Sequence, residues 1–269
     1  MSNEHQFYKE ITLDSSDFRT GSLNKPTYQF NGFIDDLDYI HIERCVIPTT
    51  YYVFSSPSYV SMSVNGTLIS WSSGNYTPTE WITAVQPQLT PLGVTVAYNP
   101  IRNVLVFTFA STNPTNRISF SATEKAYEML GFNLGDNFDP GLLGQIIASP
   151  KVCNFSGPNF ITLRSNLASV FNGSSIYFSK KTETTPEDAM IIIPITENRN
   201  SVVFYESQPD KFFQWDDTNT RNIEFYCTLG NRDEIIDFNG ESFQVKIVGF
   251  SYISMATSQI NDTVKVRYR

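Results

Sequence analysis

Apolar-rich runs of four to nine residues, separated by turn-forming residues, fill the second half of this chain. Runs of this length that end at Gly, Pro, Asn or Asp are typical of β-strands. Their spacing along the chain predicts a β-sandwich or a jelly roll. The predicted strands are Phe160–Arg164, Ser175–Phe178, Met190–Ile195, Ser201–Tyr205, Arg221–Leu229 and Ser242–Phe250.

An earlier strand is predicted at Asp38–Pro48. Alternation along it would place the odd-numbered residues from Tyr39 to Cys45 on one face and the even-numbered residues from Ile40 to Val46 on the other. Neither face is purely polar, so we expect a strand that is covered on both sides. His41 is interpreted as a partly buried packing residue of this strand.

The segment between these strands combines hairpin and helix signals. Asn65-Gly66 separates two apolar runs within Tyr59–Trp71, and this dipeptide accepts the positive φ angles of a type I′ turn. A second hairpin is predicted from Val94–Tyr98 and Val104–Phe109, and a strand follows at Arg117. The order hairpin, helix, hairpin, strand, helix predicts a compact α+β unit.

Two helices are predicted in this unit. Thr77, Pro78 and Glu80 form a capping-box start, with Trp81, Ile82, Val85 and Leu89 on one side, although Pro87 predicts an early end. The second helix is predicted at Thr123–Leu130, where Gly131 stops it. Residues Asn133–Pro158 are rich in Gly, Pro and Asn and are interpreted as a connector, and Ile11–Phe33 as an extended arm.

Composition and charge narrow the class of protein. The 269 residues include 21 Phe and 14 Tyr, which favours an all-β class. The net charge of -8 makes nucleic-acid binding unlikely, because only the tail Lys265–Arg269 is basic. No signal peptide or membrane span is indicated, so we expect a cytosolically made, soluble chain.

One long stretch almost lacks charge. Between Cys45 and Ile101 the only charged residue is Glu80. A lone β-protein would normally carry charges on its exposed edges and faces, so we expect this surface to meet protein, with a sheet solvated by Ser and Thr as the alternative. The predicted subunit-interface residues come from this stretch and from the arm: Tyr51, Tyr52, Phe54, Tyr59, Tyr98, Phe30 and Phe33.

Residues for catalysis are scarce. The chain has two histidines, three scattered cysteines and none of the common nucleotide-binding, hydrolase or zinc-protease motifs, so we predict no catalytic residue, metal or cofactor. Three acidic clusters leave two alternatives open, a hydrolase that uses two carboxylates and a site for a structural divalent ion. These clusters are Asp35-Asp36-Asp38, Asp216-Asp217 and Asp233-Glu234-Asp237.

Several short motifs resemble, in their order, the penton (vertex) proteins of virophages, polinton-like viruses and related eukaryotic double-stranded DNA viruses. These motifs are Asp14–Arg19, Ile47–Tyr52, Gly74–Thr77, Leu130–Phe132, Ile193–Ile195 and Asp237–Ile247. The resemblance implies a single jelly-roll β-sandwich with a small α+β inserted module. It places an arm and the first strand or strands in residues 1–37, the jelly roll in 38–56 and 150–269, and the inserted module with its connector in 57–149.

The resemblance also implies a function. The chain would be a non-enzymatic structural protein that assembles as a homopentamer at each vertex of an icosahedral virion, after synthesis inside the host cell. Its partners would be other copies of itself, the major capsid protein and, through the N-terminal arm, a minor capsid protein. The alternative is a receptor- or carbohydrate-binding jelly roll such as a fibre head, with Trp71, Tyr76 and Trp81 as its exposed recognition surface.

Overall fold

The structure is a computed structural model, and it describes residues 5–18, 20–29, 39–55, 57–110, 117–134, 146–166, 189–197, 200–206, 213–214, 222–230, 232 and 234–253. The chain divides into two compact units. We call residues Met1–Tyr51 with Asn159–Arg269 the sandwich unit, and residues Tyr52–Pro158 the inserted unit. Each unit is described by itself.

Strands dominate the described residues, with two short 3-10 turns at Ser15–Asp17 and Thr90–Leu92. The strands and α-helices are β1 (His5–Asp14), β2 (Thr20–Ser22), β3 (Lys25–Gln29), β4 (Tyr39–Pro48), β5 (Ser61–Val64), β6 (Thr67–Ser70), α1 (Pro78–Leu89), β7 (Val94–Asn99), β8 (Val104–Phe109), β9 (Ile118–Ser119), α2 (Tyr127–Leu130), β10 (Ile146–Ala148), β11 (Phe160–Ser165), β12 (Ala189–Pro194), β13 (Val202–Glu206), β14 (Phe213–Gln214), β15 (Asn222–Leu229) and β16 (Gln244–Ile253).

The sandwich unit contains two antiparallel sheets. One has the order β1-β16-β4-β13, with β14 also pairing with β4, and the other has the order β12-β11-β15-β3-β2. Counting only β1, β3, β4, β11, β12, β13, β15 and β16, the sheets read 1-8-3-6 and 5-4-7-2 in chain order. This is jelly-roll connectivity. The predicted all-β jelly roll is confirmed, and the inserted unit occupies the connection between its third and fourth strands.

A β-bulge in β4 corrects the expected alternation of that strand. The register with β16 shifts where Lys246 pairs with Arg44 and Ile247 pairs with Ile42. Glu43 is therefore the extra residue, and Cys45 is buried together with Ile42 instead of on the opposite face. The sequence alternation was wrong from Glu43 onward because a bulge adds one residue without changing the local composition. His41 is buried, as predicted.

The N-terminal residues are part of the sheets. β1 pairs with β16 over ten residues, and β3 pairs with β15. The side chains of Leu13 and Tyr28 are buried, and the Tyr28 hydroxyl donates to the Asp14 carbonyl at 2.6 Å. The expectation of an extended arm from Ile11 is therefore wrong up to Gln29. Beyond it, Phe30 and Phe33 lie outside the described residues.

The inserted unit contains two small sheets and both α-helices. The sheets have the orders β10-β8-β7 and β6-β5-β9. Asn65 and Gly66 adopt φ angles of 52° and 77°, so the predicted type I′ hairpin between β5 and β6 is confirmed. The connector prediction was wrong at β10, which pairs with β8. Only three residues form this strand, too few to produce a recognisable alternation.

Helix α1 begins as predicted. The Glu80 N–H donates to Thr77 Oγ1, and the Thr77 N–H donates to the Glu80 carboxylate at 2.8 Å, which completes the capping box. The early end at Pro87 was wrong, because Pro87 sits in the last turn and its missing N–H removes only one bond there. Helix α2 is shorter than predicted and ends at Gly131, which has a left-handed φ of 80°.

Aromatic rings form the core of the inserted unit. Trp71 and Trp81 meet edge to face with ring centroids 5.4 Å apart, and Trp81 lies 6.0 Å from Phe155. Phe54 lies 5.4 Å from Phe155 and 6.2 Å from Trp71. Trp81, Val85 and Leu89 are buried, so the predicted apolar side of α1 faces this core.

Candidate functional site

The sheet β10-β8-β7 presents an exposed face without charge. Its pairing places Ile146, Thr108 and Thr95 on one rung and Ala148, Val106 and Ala97 on the next. Ile146 is 62% exposed, Val106 is partly exposed and the other four are exposed. We call these six residues the apolar face. The opposite side of the same strands, which carries Phe107, Val96 and Ile147, is buried.

The sheet β6-β5-β9 presents a second uncharged face. Ser63 pairs with Leu68 on one side and with Ser119 on the other, and Ser61 pairs with Ser70. Leu68 is 62% exposed, Ser70 is exposed and the three remaining serines are partly exposed. We call these five residues the hydroxyl face. Arg117 lies just beyond its last rung, next to the Asn65 turn.

The absence of charge on these faces is unusual for solvent-exposed β-sheet. A typical protein surface has about 25–35% charged residues, so eleven positions would be expected to carry about three charges. The apolar and hydroxyl faces carry none. Uncharged exposed strands favour association with other β-surfaces, which native proteins normally oppose with charged residues.

Two glutamines of α1 cover the end strands of these sheets. The Gln86 side chain donates to the Val94 carbonyl at 2.9 Å and accepts from the Val96 N–H at 3.0 Å. The Gln88 side chain does the same for Ser70, accepting from its N–H at 3.2 Å and donating to its carbonyl at 2.6 Å. Each amide satisfies backbone groups that a neighbouring strand would otherwise bind. The unit therefore blocks these edges while it leaves both faces open.

The sandwich unit has its own exposed apolar pair. Val202 and Phe204 alternate with the buried Val203 on β13, which ends its sheet among the described strands. Phe204 is 70% exposed, a large fraction for an aromatic side chain. Val202 and Phe204 together are a further candidate contact surface.

Further along the same sheet, Lys246 Nζ lies 3.0 Å from Glu10 Oε2 and 2.6 Å from Glu43 Oε2, and Glu43 is the extra residue of the β4 bulge.

The predicted interface residues divide by burial. Tyr51, Phe54 and Tyr59 are buried within the chain, so they offer no exposed ring to a neighbouring subunit, and their assignment to the interface stays a prediction. Tyr52 is 42% exposed, and it stays a prediction. Tyr98 is partly buried, and its hydroxyl donates to Asn103 Oδ1 at 2.8 Å. The low charge of the stretch thus has two causes, an aromatic core and two uncharged faces.

The predicted recognition surface is not an exposed cluster. Trp71 and Trp81 are buried, and Tyr76 is partly buried with its hydroxyl donating to the Ser72 carbonyl at 2.8 Å. A sugar platform requires an exposed ring face, and these two tryptophan rings pack against other aromatic rings instead. The prediction of Trp71 and Trp81 as exposed residues was wrong, which removes the observation that would have favoured a carbohydrate-binding module.

The thiol and carboxylate groups of the described residues do not form a reactive centre. Cys45, Cys153 and Cys227 are free and buried, and burial raises the pKa of the Cys45 thiol to about 12. No group of three or more His, Cys, Asp or Glu residues within the described ranges could hold a metal ion. Of the residues in the acidic clusters, only Glu234 and Asp237 are described, and Asp237 accepts hydrogen bonds from Asn24 and Asn239 in a turn. Asp35, Asp36, Asp38, Asp216, Asp217 and Asp233 lie outside the described residues.

Three of the motifs that carry the family resemblance meet in the sandwich unit. Ser15 and Phe243 exchange hydrogen bonds, with the Ser15 N–H donating to the Phe243 carbonyl at 2.8 Å and the Phe243 N–H donating to Ser15 Oγ at 2.9 Å. Thr50 Oγ1 donates to the Phe238 carbonyl at 2.6 Å, and the Asn239 amide donates to the Thr50 carbonyl. Motifs that are far apart in sequence are therefore joined by hydrogen bonds within the sandwich unit.

No helix in the described part of the chain is long and apolar enough to cross a membrane.

Comparison with known proteins gives a likeness in structure but none in sequence. No family model matches the chain, and no curated protein matches it. Among solved structures it is similar to the crystal structure of selenomethionine-labelled mavirus penton protein, with 10% sequence identity and a TM-score of 0.43. The match covers 93% of this chain and 100% of that chain.

Proposed function

We propose that this chain is a structural capsid protein that forms the pentameric vertex of an icosahedral virion. The observation that carries the proposal is the pair of uncharged, exposed sheet faces on a chain with a net charge of -8. A subunit in a closed ring needs two contact surfaces that face its two neighbours. Uncharged faces allow copies of the same acidic chain to approach without mutual repulsion.

The fold is compatible with this function without establishing it, because jelly rolls serve as capsid, lectin and enzyme domains. The penton resemblance gains support from the hydrogen bonds between its own motifs, at Ser15 with Phe243 and at Thr50 with Phe238. We propose that the protein acts without catalysis and resides at the capsid vertex.

The proposal assigns separate partners to the two units. The inserted unit would supply contacts between copies through its apolar and hydroxyl faces. The Val202 and Phe204 pair on the sandwich unit would contact the neighbouring major capsid protein, since exposed aromatic residues are enriched at protein interfaces. A minor capsid protein would contact the N-terminal segment, residues 1–37.

The mass of the purified protein in solution tests the proposal. Native mass spectrometry and light scattering across a range of concentration and salt should reveal a particle of about 150 kDa, five copies of the 30.5 kDa chain. A discrete trimer would instead favour a fibre head or another capsomer. A monomer at every concentration and salt would contradict self-assembly by this chain.

A further inference from the structure

We propose, resting on the proposed function, that the apolar face of one copy packs on the hydroxyl face of the next copy around the ring. The occupant of each face is thus a second copy of this chain. The contact joins the sheet of Thr95, Val106 and Ile146 to the sheet of Ser63 and Leu68, with strands packed face to face.

Charge indicates that the occupant is another copy of this chain. Two copies of a chain with a net charge of -8 repel each other, and acidic residues on the surfaces that meet would add to this repulsion at each contact of the ring. Both faces avoid this added cost because all eleven residues are neutral. A nucleic acid would require a basic surface, which neither face offers.

The difference between the two faces favours a head-to-tail contact. The apolar face carries Ile146, Val106 and two alanines, whereas the hydroxyl face carries four serines around Leu68. A face that met its own copy would produce a two-fold dimer, which cannot propagate into a ring. When two different faces meet, each copy is rotated relative to the previous one, and a ring forms if these rotations add up to a full turn.

Leu68 and Ile146 are the expected anchors of the contact. Each is 62% exposed and projects from a strand at the end of its sheet. Across the sheet interface, Leu68 can cover Val106 and the alanine side chains, while Ile146 can cover the spaces between the small serine side chains. Small residues on the facing sheets allow such close approach.

The small size of the faces predicts that two copies alone associate weakly, whereas the closed ring is stable. At the usual spacings, three strands span ~10 Å across the sheet, and two rungs on one face lie ~7 Å apart along the strands. This is a fraction of the ~800 Å² that a standard interface buries on each partner. In a ring every copy uses both faces, so we expect cooperative assembly with few free dimers.

Charge substitutions at the centre of each face test the contact. Thr108 lies on the central strand of one sheet and Ser63 on the central strand of the other, and both side chains are outward. We expect T108K alone and S63K alone to raise the concentration needed for pentamer assembly by at least tenfold. T83K, on the exposed side of α1, is the matched control and should assemble like the wild type.

A charge pair identifies which faces meet. The double variant T108K/S63E places a lysine of one copy opposite a glutamate of the next, so it should assemble at close to the wild-type concentration, while T108K/S63K should not. Far-UV circular dichroism and urea unfolding would show that each variant retains its fold.

The outcomes separate this inference from the proposed function. A wild-type pentamer that persists in T108K and S63K would overturn the face-to-face contact and leave the vertex function standing. Loss of assembly in both single variants without recovery in T108K/S63E would overturn the pairing of these two faces. A wild-type chain that never forms pentamers would overturn the vertex function and this contact with it.

Discussion

Replacing Trp81 by phenylalanine should change stability far less than replacing it by alanine. Trp81 is fully buried in the aromatic core of the inserted unit. Among the residues that the structure describes, its indole N–H has no hydrogen-bond acceptor. The wild-type residue therefore combines favourable ring packing with a buried, unpaired donor.

The expected magnitudes follow from volume and hydrogen bonding. Phenylalanine is smaller by about 40 Å³, which costs about 1 kcal/mol at ~24 cal/mol per Å³ of cavity. Removing an unpaired buried donor regains about 1–3 kcal/mol. We therefore expect the free energy of unfolding of W81F to equal that of the wild type or to exceed it by up to about 2 kcal/mol, whereas W81A should lose about 3–5 kcal/mol.

Urea unfolding of the full chain, followed by far-UV circular dichroism, measures these differences without depending on tryptophan emission. Phe155→Leu is the matched control, because it removes volume from the same cluster but no N–H group, and it should cost about 1 kcal/mol. The reasoning is refuted if W81F loses as much stability as W81A. That result would mean that the N–H has a favourable partner, such as the face of Trp71.

Three further predictions concern other parts of the chain. Gln86→Ala should lower the free energy of unfolding by about 1–2 kcal/mol and promote aggregation through the exposed edge of β7, and unchanged unfolding and solubility would contradict its role. Hydrogen bonds from the Thr77 backbone and hydroxyl lower the pKa of Glu80, so their stabilisation is present above the unfolded pKa and lost as pH falls through the folded pKa. Glu80→Gln should accordingly reduce the acid sensitivity of unfolding, and an unchanged pH profile would refute this. Burial raises the pKa of Cys45 and of Cys227, so both thiols should resist alkylation until the chain unfolds, and rapid labelling of the native protein would contradict their burial.

Local signals in the sequence predicted the elements that depend on local chemistry. The Asn65-Gly66 turn and the Thr77 capping box form because their own side chains and φ angles specify them. Short strands at regular spacing predicted a β-sandwich or a jelly roll, and the family resemblance implied the jelly roll. Its strand order depends on pairing between residues far apart, such as β1 with β16, which a single sequence does not reveal.

The contact surfaces were harder to predict because low charge has two structural origins. Phe54 and Tyr59 belong to a buried core, while Thr108 and Ser63 belong to exposed faces, and all four lie within or near the same weakly charged stretch. Alternation shows that two faces of a strand differ, but not which face a neighbouring element covers. The large aromatic residues of this stretch therefore fill the core, while small outward residues form the exposed faces.

Electron cryomicroscopy of the assembled wild-type particle tests the central claim most directly. The account predicts a ring with five-fold symmetry in which Leu68 of each copy lies against the sheet that carries Ile146 in the next copy. A particle with another symmetry would contradict the vertex function. A five-fold ring that leaves both faces exposed to solvent would contradict the proposed contact between them.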